Sequence, residues 1–276
     1  MAAGTRRLIP VRVMSPLTPA EIDDWAARLS QAAADRRPIA PLTDARPDLA
    51  IADAYAIAQR IVERRLHDGA RVVGHKIGLT SPAVQQQLGV SEPDFGALLD
   101  VMELPDGGAV AADRFIAPRV ELELAFVLGE RLAGPGVTVA DVRRATAAVQ
   151  PAFELVDSRI VDWRIQLADT VADSASSAAF VLGGERRALD ELDTTALEVT
   201  LRRGGDVVET GVSSAVLGDP CAAVAWLADA LTSLGTTLEP GDVVLSGACT
   251  RMVNARAGDA FTGDFGTLGE IGLAFT

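Results

Sequence analysis

Arg119-Val-Glu-Leu-Glu-Leu-Ala-Phe-Val-Leu-Gly129 alternates in hydrophobicity along most of its length. Successive side chains of a strand point to opposite faces, so this pattern predicts a half-buried β-strand. Val120, Leu122, Leu124 and Phe126 then share a core face, while Glu121, Glu123, Ala125 and Val127 share the other. Two residues' rise puts the Glu121 and Glu123 α-carbons about 6.5 Å apart. Carboxylates on a face that continues as Ala and Val resist ionising if they are buried together. A divalent cation held through oxygen is their natural partner. The alternative is an edge strand that shows its polar face to water.

A second alternating segment, Pro151 to Val156, places Glu154 on the face of Ala152 and Val156. Further strands are expected around Ala178–Leu182, Leu197–Leu201, Val207–Thr210, Val243–Ser246 and Glu270–Phe275, with helices at Thr138–Val149 and Pro220–Leu234. Upstream the texture is helical. Thr18-Pro19-Ala20-Glu21 reads as a capping box opening a helix to Asp35, and a second helix runs from about Leu49 to His67, ending at Asp68-Gly69. Arg71–Gly78 is strand-like, Thr80-Ser81-Pro82 caps a short helix through Leu88, and Pro93-Asp94-Phe95-Gly96 reads as a turn. The domain reading is an N-terminal arm at 1–16, a helical region at 17–70 too small to stand alone, and a β-rich domain at 71–276. The fold class is α+β, with mixed or mostly antiparallel strands and a few outer helices.

The 276 residues suffice for a substantial core, and 49% hydrophobic against 23% charged residues indicates a globular chain. A net charge of -13 argues against nucleic acid or an anionic membrane as partner. The two distant cysteines and two histidines make zinc improbable and point to a reduced, cytoplasmic setting. No signal peptide is recognised at the start, and no bilayer-spanning segment is expected.

Of the 25 basic residues 24 are arginine, and the single lysine is Lys76 in Gly74-His-Lys-Ile-Gly78. Chance is one reading. The other is a site that needs a compact ammonium, with glycines that allow close approach. His75 points to the face opposite Lys76 and reads as packing or as an outer support of a site residue.

The motifs Gly-His-Lys-Ile-Gly-Leu-Thr-Ser (74–81), Gln-Gln-Gln-Leu-Gly-Val (85–90), Pro-Asp-Phe-Gly (93–96) and Glu-Leu-Glu-Leu-Ala (121–125) come in order. Glu-Leu-Val-Asp-Ser-Arg-Ile (154–160), Asp-Trp (162–163), Asp-Thr-Val-Ala-Asp (169–173) and Leu-Ser-Gly-Ala (245–248) follow. The ordered set resembles the 2-keto-4-pentenoate hydratase and 4-oxalocrotonate decarboxylase family of the fumarylacetoacetate hydrolase superfamily, over roughly residues 17–276. The resemblance implies a β-rich roll preceded by a helical N-terminal region. It implies Glu121, Glu123 and Glu154 as ligands of Mg2+ or Mn2+, Lys76 and Asp94 as catalytic residues, and Ser176, Ser246, Gly247 and Ala248 as substrate-binding. Ser174 stands where relatives usually have asparagine. The implied activity is hydration of a 2-hydroxydienoate, with decarboxylation of 2-oxohex-3-enedioate, hydrolysis of an acylpyruvate or a non-catalytic partner role as rivals. A decarboxylase needs a cation for the far carboxylate, for which Arg164 or Arg251 is available. Homo-oligomers, pentamers or decamers, and association with a neighbouring pathway enzyme are also implied.

Overall fold

Local chemistry sets the first helix. In α1 (Pro19–Asp35) the Thr18 hydroxyl accepts from the Glu21 N–H at 3.3 Å and the Glu21 carboxylate accepts from the Thr18 N–H at 2.8 Å, the expected reciprocal cap. A short α2 (Leu42–Ala45) and the longer α3 (Ile51–His67) follow. Trp25, Leu29, Leu42, Ala54 and Ile57 form one apolar cluster with Ile160, Val171 and Ala172, so the helical region is packed on later parts of the chain. These observations come from a computed structural model that describes residues 16–81, 85–86 and 92–276. The expected arm at 1–16 lies outside the described residues except for Pro16, as does most of the short helix expected through Leu88.

The remaining elements are β1 (Val72–Gly78), β2 (Asp94–Leu99), β3 (Glu103–Leu104), β4 (Gly108–Val110), β5 (Arg119–Leu128), α4 (Val139–Ala145), β6 (Thr146–Val156), α5 (Leu167–Ala172) and β7 (Ser177–Leu182). Then come β8 (Glu198–Arg203), β9 (Asp206–Val212), α6 (Pro220–Ser233), β10 (Val243–Ala248), β11 (Val253–Asn254), β12 (Ala260–Asp264) and β13 (Glu270–Phe275). One mixed sheet has the order β2-β1-β10-β5-β6-β7-β3, with β11 also on β5, and a second has the order β4-β13-β12-β8-β9.

Val120, Leu122, Leu124 and Phe126 face the second sheet and α6 as expected, joining Phe153, Leu155, Leu227, Phe261, Ile271 and Phe275 in the main core. Burying one such side chain contributes about 1.5–3 kcal/mol, so this face commits β5 to its register. The opposite face is concave. β2 and β7, near opposite edges of the first sheet, come into contact, so the sheet curls around the side chains that Glu121 begins.

Three expectations are corrected. Pro93–Gly96 is no turn: Asp94 opens β2 and pairs with Gly78, while Gly96 pairs with Lys76, because β1 takes the segment into its ladder. The helix expected over Thr138–Val149 stops at Ala145, since Thr146, Ala148 and Val149 pair with Leu128, Val127 and Phe126 of β5. Tertiary pairing overrides helical propensity there. Contrary to the reading of the sequence, Ser213–Ser233 does have the length and mean hydropathy, 1.2, of a bilayer-crossing segment. Its buried Cys221, Val224, Leu227, Ala228 and Leu231 show it packed as a core helix instead.

Candidate active site

Glu121 and Glu123 project from β5 onto the concave face, and Glu154 of β6 lies directly opposite Glu121 in the ladder. One carboxylate oxygen from each lies within 4.8 Å of the others. Glu154 is fully buried, and its Oε1 has no hydrogen-bond partner. Glu123 Oε2 accepts from the Gly247 N–H at 2.8 Å. Burial, reinforced by the neighbouring Glu154 carboxylate, pushes Glu121 up to about 7 and holds Glu123 well above the carboxylate range. Glu154 is raised by burial against the pull of Lys76. Three converging oxygens, those of Glu123 and Glu154 buried and that of Glu121 half-buried, one orphaned and with no sulfur or imidazole among them, fit a hard divalent cation.

Unfolded, these groups ionise near 4.5, whereas folded Glu121 resists to about 7. Raising the pH through that window therefore favours the unfolded form of the metal-free protein. A cation taken by these carboxylates would have to expel the same protons, so affinity for a divalent ion such as Mg2+ is expected to rise as pH increases from 6 to 8. Calorimetric titrations in buffers of different ionisation enthalpy check this. A flat profile without proton release would contradict it.

Lys76 completes the constellation. Its ammonium is 3.2 Å from Glu154 Oε2 and donates to the Ala175 carbonyl at 3.0 Å. Burial alone would lower its pKa, but Glu154, Asp94, Glu121 and Glu123 together outweigh burial and keep it charged. Asp94 is held above its usual range by burial, with Lys76 pulling the other way, and its Oδ1 is unpartnered. Gly78 separates the two: a Cβ there would lie 2.2 Å from Asp94 Oδ1 and 3.3 Å from Lys76 Nζ. His75, on the opposite face, is buried and lowered to about 4, hence neutral packing as expected.

The other expected residues line the periphery. Ser246 is buried with an unpartnered hydroxyl, Ala248 pairs with Glu123, and the Ser176 hydroxyl is 3.5 Å from that of Thr170. Gly247 has φ 114°, and a Cβ there would meet the Thr80 hydroxyl at 2.3 Å. Gly247→Ala is therefore expected to lower metal affinity about tenfold, because it displaces the N–H that orients Glu123. Titration of the folded variant with Mg2+ checks it, and an unchanged affinity would count against that role.

Ser174, Ala175 and Ser176 all have left-handed φ values, 54°, 52° and 54°. This strained run aims the Ala175 carbonyl at Lys76, and sequence patterns contain no sign of it. Asparagine tolerates that conformation better than serine, which gives the departure at Ser174 a physical meaning. The motif at 169–173 and Arg159 serve as scaffold. Asp169 accepts from the Thr43 N–H at 3.0 Å and from its hydroxyl at 2.7 Å, while Asp173 takes the Arg159 Nε at 2.5 Å. Arg164 pairs with Asp44 at 2.6 Å and Arg251 with Glu209 at 2.9 Å. The Arg119 guanidinium lies 4.0 Å over the Trp163 ring, a contact between distant segments that residue type alone does not reveal.

Residues 86–274 match the family described as fumarylacetoacetate (FAA) hydrolase C-terminal. "2-keto-4-pentenoate hydratase 2" of Dechloromonas aromatica is 48% identical over 253 residues, 91% of this chain and 95% of its own. "2-hydroxyhexa-2,4-dienoate hydratase" of Comamonas testosteroni is 44% identical over 92% of this chain and 97% of its own. The chain belongs to the 2-keto-4-pentenoate hydratase and 4-oxalocrotonate decarboxylase family of the fumarylacetoacetate hydrolase superfamily. Among solved members of this superfamily, the 4-oxalocrotonate decarboxylase from Pseudomonas putida G7, complexed with magnesium and adipate, superposes with a TM-score of 0.93 at 35% identity, covering 95% of this chain and 100% of that one. A second structure of that decarboxylase is complexed with calcium and acetate. The roll with a helical N-terminal region is thus the superfamily fold, and the three carboxylates are close enough together to hold a divalent metal of the kind those solved relatives are complexed with.

Proposed function

We propose that this enzyme adds water to 2-hydroxypenta-2,4-dienoate or a longer analogue, giving a 4-hydroxy-2-oxo acid, with Mg2+ or Mn2+ held by Glu121, Glu123 and Glu154. The observation that carries the reading is the buried Lys76 ammonium in contact with Glu154, beside three converging carboxylates and an unpartnered Asp94 oxygen. When bound, the cation supplies a Lewis acid for the carboxylate and C2 oxygen of the substrate.

The chain's own groups then handle protons. Lys76 uses two of its three N–H donors on Glu154 and Ala175, and the third remains for the substrate or its water. Asp94, buried and raised, holds or passes a proton through its free Oδ1. The dienol loses its O–H proton while C5 gains one, leaving a conjugated ketone. Water then adds its hydroxyl at C4 and C3 gains a proton, so one water is consumed in all. The curled sheet keeps bulk water from these groups, which strengthens each electrostatic contact.

The structural likeness to a decarboxylase favours a second reading, loss of CO2 from 2-oxohex-3-enedioate on the same residues. Its demand for a cation at the far carboxylate is poorly met by Arg164, which Asp44 already engages. A spectrophotometric assay with both substrates and Mg2+, with products identified by mass, tests the choice. Metal-dependent hydration of the dienoate without CO2 release from the diacid is the expected result. CO2 release alone would replace the hydratase reading, and inactivity on all dienoates tried would end it.

A further inference from the structure

Where β2 and β7 meet, α1 and α3 cover the seam of the curled sheet, and the packing there leaves a cavity of about 290 Å³. That is close to the lower limit of about 300 Å³ for small-molecule sites. Leu29, Ala33, Val62, Leu99, Met102 and Phe115 make its apolar wall. None of Glu121, Glu123, Glu154, Lys76 and Asp94 borders it, so it is separate from the candidate active site.

Its charged groups are unevenly matched, with Arg65, Arg114 and Arg159 against Asp157 and Asp173. Asp157 accepts from the Ile116 and Ala117 N–H groups at 2.9 and 2.7 Å, and Asp173 is paired with Arg159. Arg65 and Arg114 are left over. Both are exposed, and among the described residues neither has a carboxylate within ion-pair distance. Arg114 makes one long contact, 3.4 Å to the Val101 carbonyl, and lies 5.7 Å over the Phe115 ring. Arg64, one position earlier in α3, is by contrast taken by Asp23. The buried Ser174 hydroxyl, without a hydrogen-bond partner, adds another donor. In a chain of net charge -13, two free guanidinium groups beside an apolar hollow complement a small anion with an apolar body.

One wall of the cavity is the left-handed segment Ser174–Ser176, which persists only while its surroundings hold it. A Cβ at Gly96 would lie 2.6 Å from the Ser174 carbonyl oxygen, so the segment has no slack toward β2. Arg159 brackets it, bonding Asp173 on one side and the Ser177 carbonyl at 3.1 Å on the other. The Ala175 carbonyl in its middle accepts from Lys76 at 3.0 Å. Since Arg159, Asp173, Ser174 and Ser177 all line the cavity, whatever fills it presses on the bracket that places Lys76. We infer that this cavity is a second binding site, for a small carboxylate whose head meets Arg65 and Arg114 and whose apolar body lies against the apolar wall. Its occupant acts on Lys76 through the Ser174–Ser176 segment, a coupling between two distinct sites. Only the consequence for turnover rests on the hydratase reading.

Calorimetric titration of the full-length protein with benzoate in saturating Mg2+ tests the site. Benzamide, which keeps the shape without the charge, and acetate, which keeps the charge without the ring, should each bind about tenfold more weakly or worse. Arg65→Gln combined with Arg114→Gln, both at exposed positions, should weaken benzoate about tenfold. Ala33→Trp, which fills the cavity from an exposed position of α1, should abolish its binding. Because Lys76 is the single lysine, protein labelled with nitrogen-15 at the lysine Nζ gives one ammonium signal. Benzoate should shift that signal in the parent and leave it unmoved in the double variant. No binding of benzoate to the parent, equal binding by the double variant, or a Lys76 signal that stays put while benzoate binds would each overturn the proposal. A shift that survives Ala33→Trp would place the anion at the carboxylate cluster's metal instead, which also overturns it. The expected shift in a protein that turns over no dienoate would sink only the hydratase reading.

Discussion

Lys76→Met is expected to lower kcat by about 10²–10⁴-fold, the range for removing a positioned proton donor or acceptor. Methionine approximates the length and volume of the lysine stem, so the buried site stays filled. What goes is the ammonium that sits 3.2 Å from Glu154 and 3.0 Å from the Ala175 carbonyl. Affinity for Mg2+ should hold or tighten, because the loss of a positive neighbour leaves the carboxylates more attractive to a cation. Lys76→Arg should fail as well, since a planar fork does not fit a pocket shaped around a compact ammonium. Steady-state kinetics with calorimetry separates the two effects. Unchanged turnover would remove Lys76 from the mechanism.

Glu154→Gln tests the metal seat with the largest expected loss of affinity. The amide keeps an oxygen for Lys76 and nearly the same shape, but it gives up the charge. Altering an outer partner of a ligand costs about 10–100-fold in metal affinity, and loss of a ligand should exceed that. Activity should fall in parallel. In the metal-free variant, relief of repulsion among the three carboxylates opposes loss of the charge that pairs with the buried Lys76, so the variant is expected to be no more stable than the parent. Melting curves with and without Mg2+ read both parts: the parent gains stability with the ion and the variant gains little. A variant that kept full affinity would show that Glu154 is no ligand.

Both tests concern residues that one-dimensional patterns exposed. Alternation in Arg119–Leu128 put Val120, Leu122, Leu124 and Phe126 in the core and Glu121 with Glu123 on the other face, as found. The capping box at Thr18 and Glu21, the end of α3 at His67 and the strand at Glu270–Phe275 were equally legible. Each is governed by neighbours within a few residues, where spacing alone sets geometry. Lys76 stood out for a compositional reason, as the chain's single lysine.

Other features depend on partners far away in the chain. Asp94 begins a strand because β1 pairs with it, and Thr146–Val149 leaves the helix because β5 does. The contact of β2 with β7 curls the sheet and brings Glu154, Lys76 and Asp94 to one point. The left-handed run at Ser174–Ser176 and the Arg119–Trp163 pair have no periodic signature, since backbone strain and stacking across 44 positions are settled by packing. The residues and their strand faces were thus written locally, where period and propensity act. The closure of the face, the buried charges and the cavity at its seam came from long-range contacts that no window of sequence contains.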